Sequence, residues 1–128
     1  MRSFDHGPPR KAAHRPVWRY VDICDRVRLG EGLREFLPSH IVHLAAKTGM
    51  GVSDISVFAA NFDGVQNLID VSRALPALRR VIFTSSLLVC RNGYVPRDDT
   101  DFCPPNLYGE SKARGERLVR AAANLPFG

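Results

Sequence analysis

The stretch Asn106-Leu107-Tyr108-Gly109-Glu110-Ser111-Lys112 sets a tyrosine and a lysine four residues apart at the head of an apolar-striped segment. On a helix this spacing puts both side chains on one face, so an ammonium comes beside a phenol. Free tyrosine titrates near pH 10, and only about 0.1% is phenolate at pH 7. A cation close by favours the charged form and makes a general acid/base suited to moving a proton onto or off an alcohol oxygen. With three tyrosines and three lysines in 128 residues, the spacing also arises by chance, so it needs a setting.

That setting lies upstream. Arg80-Val81-Ile82-Phe83-Thr84-Ser85-Ser86 is an apolar run ending in hydroxyls, and Ile41-Val42-His43-Leu44-Ala45-Ala46 is another ending in small residues. Ile41 to Ala45 and Arg80 to Thr84 read as buried strands. Val17 to Val21 has strand composition, Gly7 to Pro16 reads as a loop, and Met1 to Asp5 is too short to be read as a strand from its pattern. Asp25 to Leu37 fits a helix capped by Asp25 and stopped by Pro38, with Val27, Leu33, Phe36 and Leu37 facing inward. Ser53 to Leu75 is the longest periodic segment: Ile55, Phe58, Ala59, Phe62, Val65, Leu68, Ile69 and Ser72 follow the helical period and Pro76 ends it. Asn92 to Pro105 is a loop. Tyr108 to Asn124 is the last helix, burying Ala113, Leu118, Val119 and Ala122. Strands alternating with helices predict parallel βαβ units in an α/β, doubly wound parallel sheet with helices on both faces.

The order of strand, hydroxyl cluster and Tyr-x-x-x-Lys helix resembles the short-chain dehydrogenase/reductase superfamily. Its details resemble the extended branch, the NAD-dependent epimerase/dehydratase family of nucleotide-sugar enzymes. The resemblance implies catalytic roles for Tyr108 as acid/base, for Lys112 as the cation that favours the phenolate and binds the nicotinamide ribose, and for Ser86 as the hydroxyl that orients the reacting oxygen. Ser85 and Thr84 compete with Ser86, and Val89-Cys90 stands where the family carries a Val-Tyr-Gly segment. For the cofactor, Asp22 would accept from the adenine amino group while Ile23 packs on the ring; an aspartate here also suits a helix cap, for which Asp25 competes. Leu44, Ala45 and Ala46 would let the backbone approach the dinucleotide, or they mark a tight strand-to-loop transition. Lys47 matches a ligand-contacting position, although a solvated lysine is the simpler reading. Asn61 matches a helix asparagine of the family, in a backbone-satisfying or a cofactor-proximal role; asparagine and Gly64 are both poor helix residues, so their presence there asks for a reason. Asp5 looks like the acidic residue ending the second Rossmann strand, which accepts from the ribose 2′-hydroxyl and repels a 2′-phosphate. NAD is therefore implied, with NADP left open by Arg10, Lys11 and Arg15 nearby.

The family opens on a strand and a Gly-x-x-Gly-x-x-Gly turn that seats the pyrophosphate at a helix N-terminus. Glycines 7, 30, 32, 49, 51 and 64 do not reproduce that turn. The chain accordingly reads as a single, partial NAD(P)-binding Rossmann-like domain over 1–128, an incomplete sheet without the first strand and helix or the C-terminal substrate region. In the strand order 3-2-1-4-5-6, omission of strand 1 separates the strand at Val17 from the strand at Ile41 and leaves unpaired backbone and apolar faces that favour aggregation. The implied chemistry is NAD-dependent epimerisation or dehydration of a nucleotide sugar, with Tyr108 taking the proton as hydride passes to the nicotinamide. The alternatives are a related oxidoreductase acting on a steroid-like or flavonoid-like alcohol, and a catalytically inactive truncated remnant.

Composition narrows the classes further. Apolar content of 45% and charged content of 24% are globular values. The net charge of +5 rests on fifteen arginines dispersed along the chain, the pattern of a solvated surface rather than a nucleic-acid patch. Cys24, Cys90 and Cys103 are odd in number and lack metal-type spacing, so they read as reduced thiols in a cytoplasmic protein with no metal site. No apolar run approaches the roughly eighteen residues of a membrane span, and no apolar core follows the basic N-terminus. The expected partner is a small-molecule substrate, with no nucleic acid and no membrane. The family resemblance adds a homodimer interface on the two long helices, Ser53 to Leu75 and Tyr108 to Asn124.

Overall fold

A computed structural model describes residues 1–49 and 51–122. Its four short strands form two parallel pairs, with no ladder between the pairs among the described residues. β1 (Ser3–Asp5) pairs with β2 (Trp18–Tyr20), Ser3 opposite Trp18 and Asp5 opposite Tyr20. β3 (His40–His43) pairs with β4 (Arg80–Phe83), His40 opposite Arg80 and His43 opposite Phe83. Three residues are too few to show an alternation, so β1 is defined by its partner and could not be read from its own pattern. A 3-10 turn, Ala12–Val17, connects β1 to β2.

α1 (Arg26–Phe36) begins where the Asp25 carboxylate accepts the Arg28 N–H at 3.0 Å, and it ends on Leu37 in the left-handed conformation, φ 50°. Its buried face is Leu29 and Leu33, one turn apart. The inward placement of Val27, Phe36 and Leu37 does not hold: Val27 is 68% exposed, and Phe36 and Leu37 are also exposed. The face is set instead by Gly32, where a Cβ would lie 3.1 Å from the Phe4 ring, and Phe36 sits beneath the Arg2 guanidinium, 5.9 Å from its ring centroid.

Ser53 to Leu75 is not one helix. A 3-10 segment, Ile55–Asn61, starts at Asp54, whose carboxylate accepts from the Ser56 N–H. Phe58 departs from helical geometry (φ −99°, ψ 21°), and Phe62 (φ −133°, ψ −51°) breaks the chain before α2 (Asp63–Ser72). α3 (Leu107–Ala121) is capped by the Asn106 side chain, which accepts the Gly109 N–H at 2.8 Å. The expected end of that helix at Asn124, and Pro126-Phe127-Gly128, lie outside the described residues.

The helices pack in series, α1 on α2 and α2 on α3. Val81, fully buried on β4, meets Leu29 and Leu33 of α1 and Leu68 of α2; Val65 and Ile69 on the neighbouring face of α2 meet Ala122, with Leu118 and Val119 packed against them. Burial of such aliphatic side chains, about 1.5–3 kcal/mol each, is what holds the strand pairs to the helices. Of the positions expected to be buried in the last helix, Ala113 and Ala122 are buried, Ala122 just beyond the end of α3, and Leu118 and Val119 are partly buried. No helix among the described residues is long and apolar enough to cross a membrane.

β3 and β4 are covered on one face only. Val81 on β4 and His43 on β3 are buried, while the register partners Val42 and Ile82 are 58% and 42% exposed. Parallel sheets are ordinarily covered on both sides, so this cross-strand apolar pair is a bare surface. Replacing both residues, Val42→Thr with Ile82→Thr, is expected to weaken self-association of the purified chain several-fold in sedimentation velocity. Unchanged association would show that the bare face is not the sticky one.

Candidate active site

Asn61 ends the 3-10 segment, is 1% exposed, and uses every polar atom of its side chain. Its Oδ1 accepts the Lys47 N–H at 2.8 Å, and its Nδ2 donates to the Lys47 carbonyl at 2.8 Å and to Ser111 Oγ at 2.9 Å. The Ser111 hydroxyl in turn donates to the Tyr108 carbonyl at 2.6 Å. One amide therefore joins the loop after β3 to the first turn of α3. Asn61 thus satisfies main-chain groups of Lys47.

Two glycines make this approach feasible. A Cβ at Gly115 would lie 2.3 Å from the Asn61 carbonyl oxygen, and a Cβ at Gly109 would lie 2.1 Å from that of Leu88. α3 is thus pressed against the 3-10 segment in its middle and against the turn Leu87–Val89 at its start. Glycine is among the weakest helix formers, and close backbone contact is the reason for it at both positions.

Lys112 lies one residue beyond Ser111, 6% exposed, with Nζ donating to the Thr84 carbonyl at 2.6 Å. Burial pushes its pKa below the usual lysine value, and the Glu116 carboxylate opposes that shift. The three hydroxyl residues after β4 are used differently. Thr84 gives its carbonyl to the lysine, and Ser85 Oγ donates to Glu116 at 2.6 Å. Ser86 Oγ accepts the Leu88 N–H at 3.2 Å, capping the turn with its oxygen and keeping its proton available for donation. Tyr108 is half-buried, its ring edge-on to Phe58 with centroids 6.0 Å apart.

Behind the lysine, His43, Thr84, Lys112, Gly115, Glu116 and Arg120 help line a cavity of about 250 Å³ whose walls include neither Tyr108 nor Ser86. His43 is 5% exposed, packs on Phe83 with ring centroids 5.3 Å apart, and has no hydrogen-bond partner on either ring nitrogen among the described residues. Burial, with the Lys112 charge adding to it, lowers its pKa to about 4.

The expected cofactor residues lie at strand ends. Asp25 takes the helix cap, so Asp22 is free of that duty; it is exposed, accepts the Cys24 N–H at 2.8 Å and is hydrogen-bonded by the Cys24 thiol. Ile23 packs on Gly64, where a Cβ would lie 2.6 Å from its side chain. Asp5 is exposed and accepts the Gly7 N–H at 2.9 Å. Leu44, Ala45 and Ala46 are exposed beyond β3, as is Lys47, whose main chain rather than its ammonium is engaged. The structure brings Asn61, Tyr108, Lys112 and the hydroxyl segment into one neighbourhood; Asp5 and Asp22 belong to the other strand pair. Ser111, Gly109, Gly115, His43 and Glu116 were not singled out by sequence. Only the glycines carried a signal, as helix breakers inside a helix.

Residues 2–126 match the NAD dependent epimerase/dehydratase family. The chain belongs to that family. It is 29% identical over 122 residues to a dTDP-glucose 4,6-dehydratase of Neisseria meningitidis, covering 84% of this chain and 34% of that protein. It is 30% identical over 112 residues to a UDP-glucose 4-epimerase of Mycoplasma genitalium, covering 81% and 33%. A short-chain dehydrogenase/reductase superfamily protein of Agrobacterium tumefaciens, solved with bound NAD, superposes with a TM-score of 0.76 at 28% identity, over 98% of this chain and 38% of that one. The chain spans about a third of the length of these curated relatives. Membership of the epimerase/dehydratase family and an incomplete Rossmann-like α/β fold are both as expected from the sequence.

Removing the amide in Asn61→Ala leaves the Lys47 N–H and carbonyl and the Ser111 hydroxyl without their partner, an expected loss of about 2–4 kcal/mol in urea unfolding. Gly115→Ala, which must push α3 off the Asn61 carbonyl, is expected to lose at least about 1–3 kcal/mol. Losses below about 0.5 kcal/mol in both would contradict the clamp. His43 yields a pH signature. Unfolded histidine titrates near 6.5 and folded His43 near 4, so the unfolded chain binds the proton first as pH falls. Its contribution is complete above about pH 6.5 and declines towards pH 4 by up to about 3 kcal/mol. His43→Leu should flatten stability over that window; an unchanged slope would contradict a buried, neutral imidazole.

Proposed function

We propose that this chain is the acid/base and nicotinamide-side portion of an NAD-dependent epimerase or dehydratase acting on a nucleotide sugar. The observation that carries the reading is Lys112, buried and bound to the Thr84 carbonyl at the tip of β4, one helical turn from Tyr108 and two residues from Ser86 in the bonded segment. The likeness to a dTDP-glucose 4,6-dehydratase and a UDP-glucose 4-epimerase, and the NAD bound to the structural neighbour, support it.

The dinucleotide supplies the hydride acceptor and donor. In the proposed reaction Tyr108, as phenolate, accepts the proton of a sugar hydroxyl while that carbon loses hydride. The Lys112 ammonium favours the phenolate and reaches the ribose on the nicotinamide side. Ser86 donates its free proton to the reacting oxygen and holds it in place. Asp5 accepts the Gly7 N–H and Asp22 the Cys24 N–H within their own turns, and both carboxylates are exposed, which fits acceptance from ribose hydroxyls and from the adenine amino group. Ile23 would flank the adenine, and the small side chains of Ala45 and Ala46 after Leu44 let a dinucleotide lie close to the backbone. The protein works in the cytoplasm on this reading, as one partial dinucleotide-binding domain over 1–128. A homodimer through α2 and α3 is the proposed assembly.

In a protein that carries this segment together with a Gly-x-x-Gly-x-x-Gly turn and a substrate region, Tyr108→Phe is expected to lower kcat by about 10²–10⁴-fold with NAD affinity nearly unchanged. A near-native rate would remove the tyrosine from its role. The 128-residue chain alone lacks that turn, so calorimetric titration with NAD is expected to give no binding in the micromolar range. Micromolar binding by a monomeric sample would contradict the assignment of pyrophosphate binding to the turn.

A further inference from the structure

Cys90 and Cys103 stand opposite each other across an isolated parallel bridge. The Cys103 N–H donates to the Val89 carbonyl at 3.0 Å, and the Arg91 N–H donates to the Cys103 carbonyl at 2.7 Å. Residues paired in this way lie about 5 Å apart at Cα and send their side chains to the same face, inside the roughly 4.4–6.8 Å span a disulfide bridges. Both cysteines are free and partly exposed.

The loop between them is organised rather than slack. Asp101 accepts from the Arg97 N–H and Nε at 3.0 Å and from Tyr94 Oη at 2.9 Å, and these hydrogen bonds, the Arg97 side chain foremost, hold its carboxyl at about 2. Cys90 Sγ also approaches the Asp101 carbonyl at 3.7 Å. The ends of the loop belong to the site. Ser86 lies just upstream of Cys90 and caps the turn that follows β4, while Asn106, the cap of α3, lies just downstream of Cys103.

We propose that Cys90 and Cys103 are a thiol–disulfide exchange site that closes on reaction with a low-molecular-weight disulfide such as oxidised glutathione. One protein thiol, as its thiolate, attacks the small disulfide, forms a mixed disulfide and releases one small thiolate, which takes up the proton. The second protein thiol gives up its proton, attacks the protein sulfur of that mixed disulfide and releases the other small thiolate, which takes up that proton. Two protein thiols are oxidised to one disulfide, and one small disulfide is reduced to two thiols. The new bond clasps the hydroxyl segment to the start of α3, across the seam where Gly109 meets the Leu88 carbonyl. Cys24, exposed on the segment leading into α1, has no such partner and serves as an internal control.

The test is equilibration of the reduced 128-residue chain in a glutathione redox buffer, acid quench, alkylation, trypsin digestion and mass spectrometry. Cleavage places the two thiols on separate peptides, 81–91 and 98–112. The expected result is a disulfide-linked 81–91/98–112 pair in monomeric protein, at least tenfold more abundant relative to pairs involving Cys24 than in concentrated guanidinium, where the pairings compete statistically. Cys24 should appear as a mixed disulfide with glutathione. Separate glutathione adducts on Cys90 and Cys103, or a pairing pattern equal to that in guanidinium, would overturn the proposal; the latter covers a chain that fails to fold. In Cys103→Ser, Cys90 should stop at the mixed disulfide, and linkage of Cys90 to Cys24 instead would also overturn it.

Discussion

The side-chain amide of Asn61 sets the geometry of the candidate site. A buried amide with two donors and an acceptor is stable only where all of them are met, and here they are met by two main-chain groups of Lys47 and the hydroxyl of Ser111. Satisfying both partners requires the 3-10 segment to run between the loop after β3 and α3. The break at Phe62 follows directly after Asn61. The same requirement accounts for Gly115, the position where α3 meets the Asn61 carbonyl. Since Ser111 is bonded to the Tyr108 carbonyl, the register of the first helical turn is fixed, and Lys112 follows into reach of Thr84.

The electrostatics of the buried region depend on that placement. A lysine residue only 6% exposed is costly to hold charged, and the Thr84 carbonyl and nearby Glu116 offset part of the desolvation. Glu116 is shared: it accepts from Ser85 and from Arg120, which also pairs with Asp99. This ties the strand tip, α3 and the loop before it into one charged network. His43 completes the balance by remaining neutral, since a protonated imidazole there would set a second buried cation against Lys112.

Legibility in the sequence followed the physical origin of each feature. β3, β4 and α3 were readable because apolar runs and a 3.6-residue stripe report directly on burial. Asp25 was recognisable as a cap by type and place. On the inner face of α1 only Leu33 was read correctly: Leu29 was passed over, and Val27, Phe36 and Leu37 are apolar residues that the fold leaves at the surface. The break within Ser53 to Leu75 was invisible because its apolar period runs on through Phe58 and Phe62, and the contact of Asn61 with Ser111, fifty residues away, leaves no trace in that period. Ser111 itself, a serine on a helix, has no distinguishing type or spacing; only its contact with Asn61 gives it a role. The one-sided covering of β3 and β4 was equally hidden, since an apolar run reads the same whether one face or two are covered.

Amide hydrogen exchange at Lys47 tests the central constraint most directly. The residue lies in an exposed loop beyond β3, and its N–H is bonded to Asn61 Oδ1. If the amide of Asn61 holds that loop against α3, the Lys47 N–H exchanges at least about a hundredfold more slowly than an unprotected amide and returns to the unprotected rate in Asn61→Ala. Exchange of the Lys47 N–H at the unprotected rate in the unaltered chain, while the α2 core amides remain protected, would contradict the account.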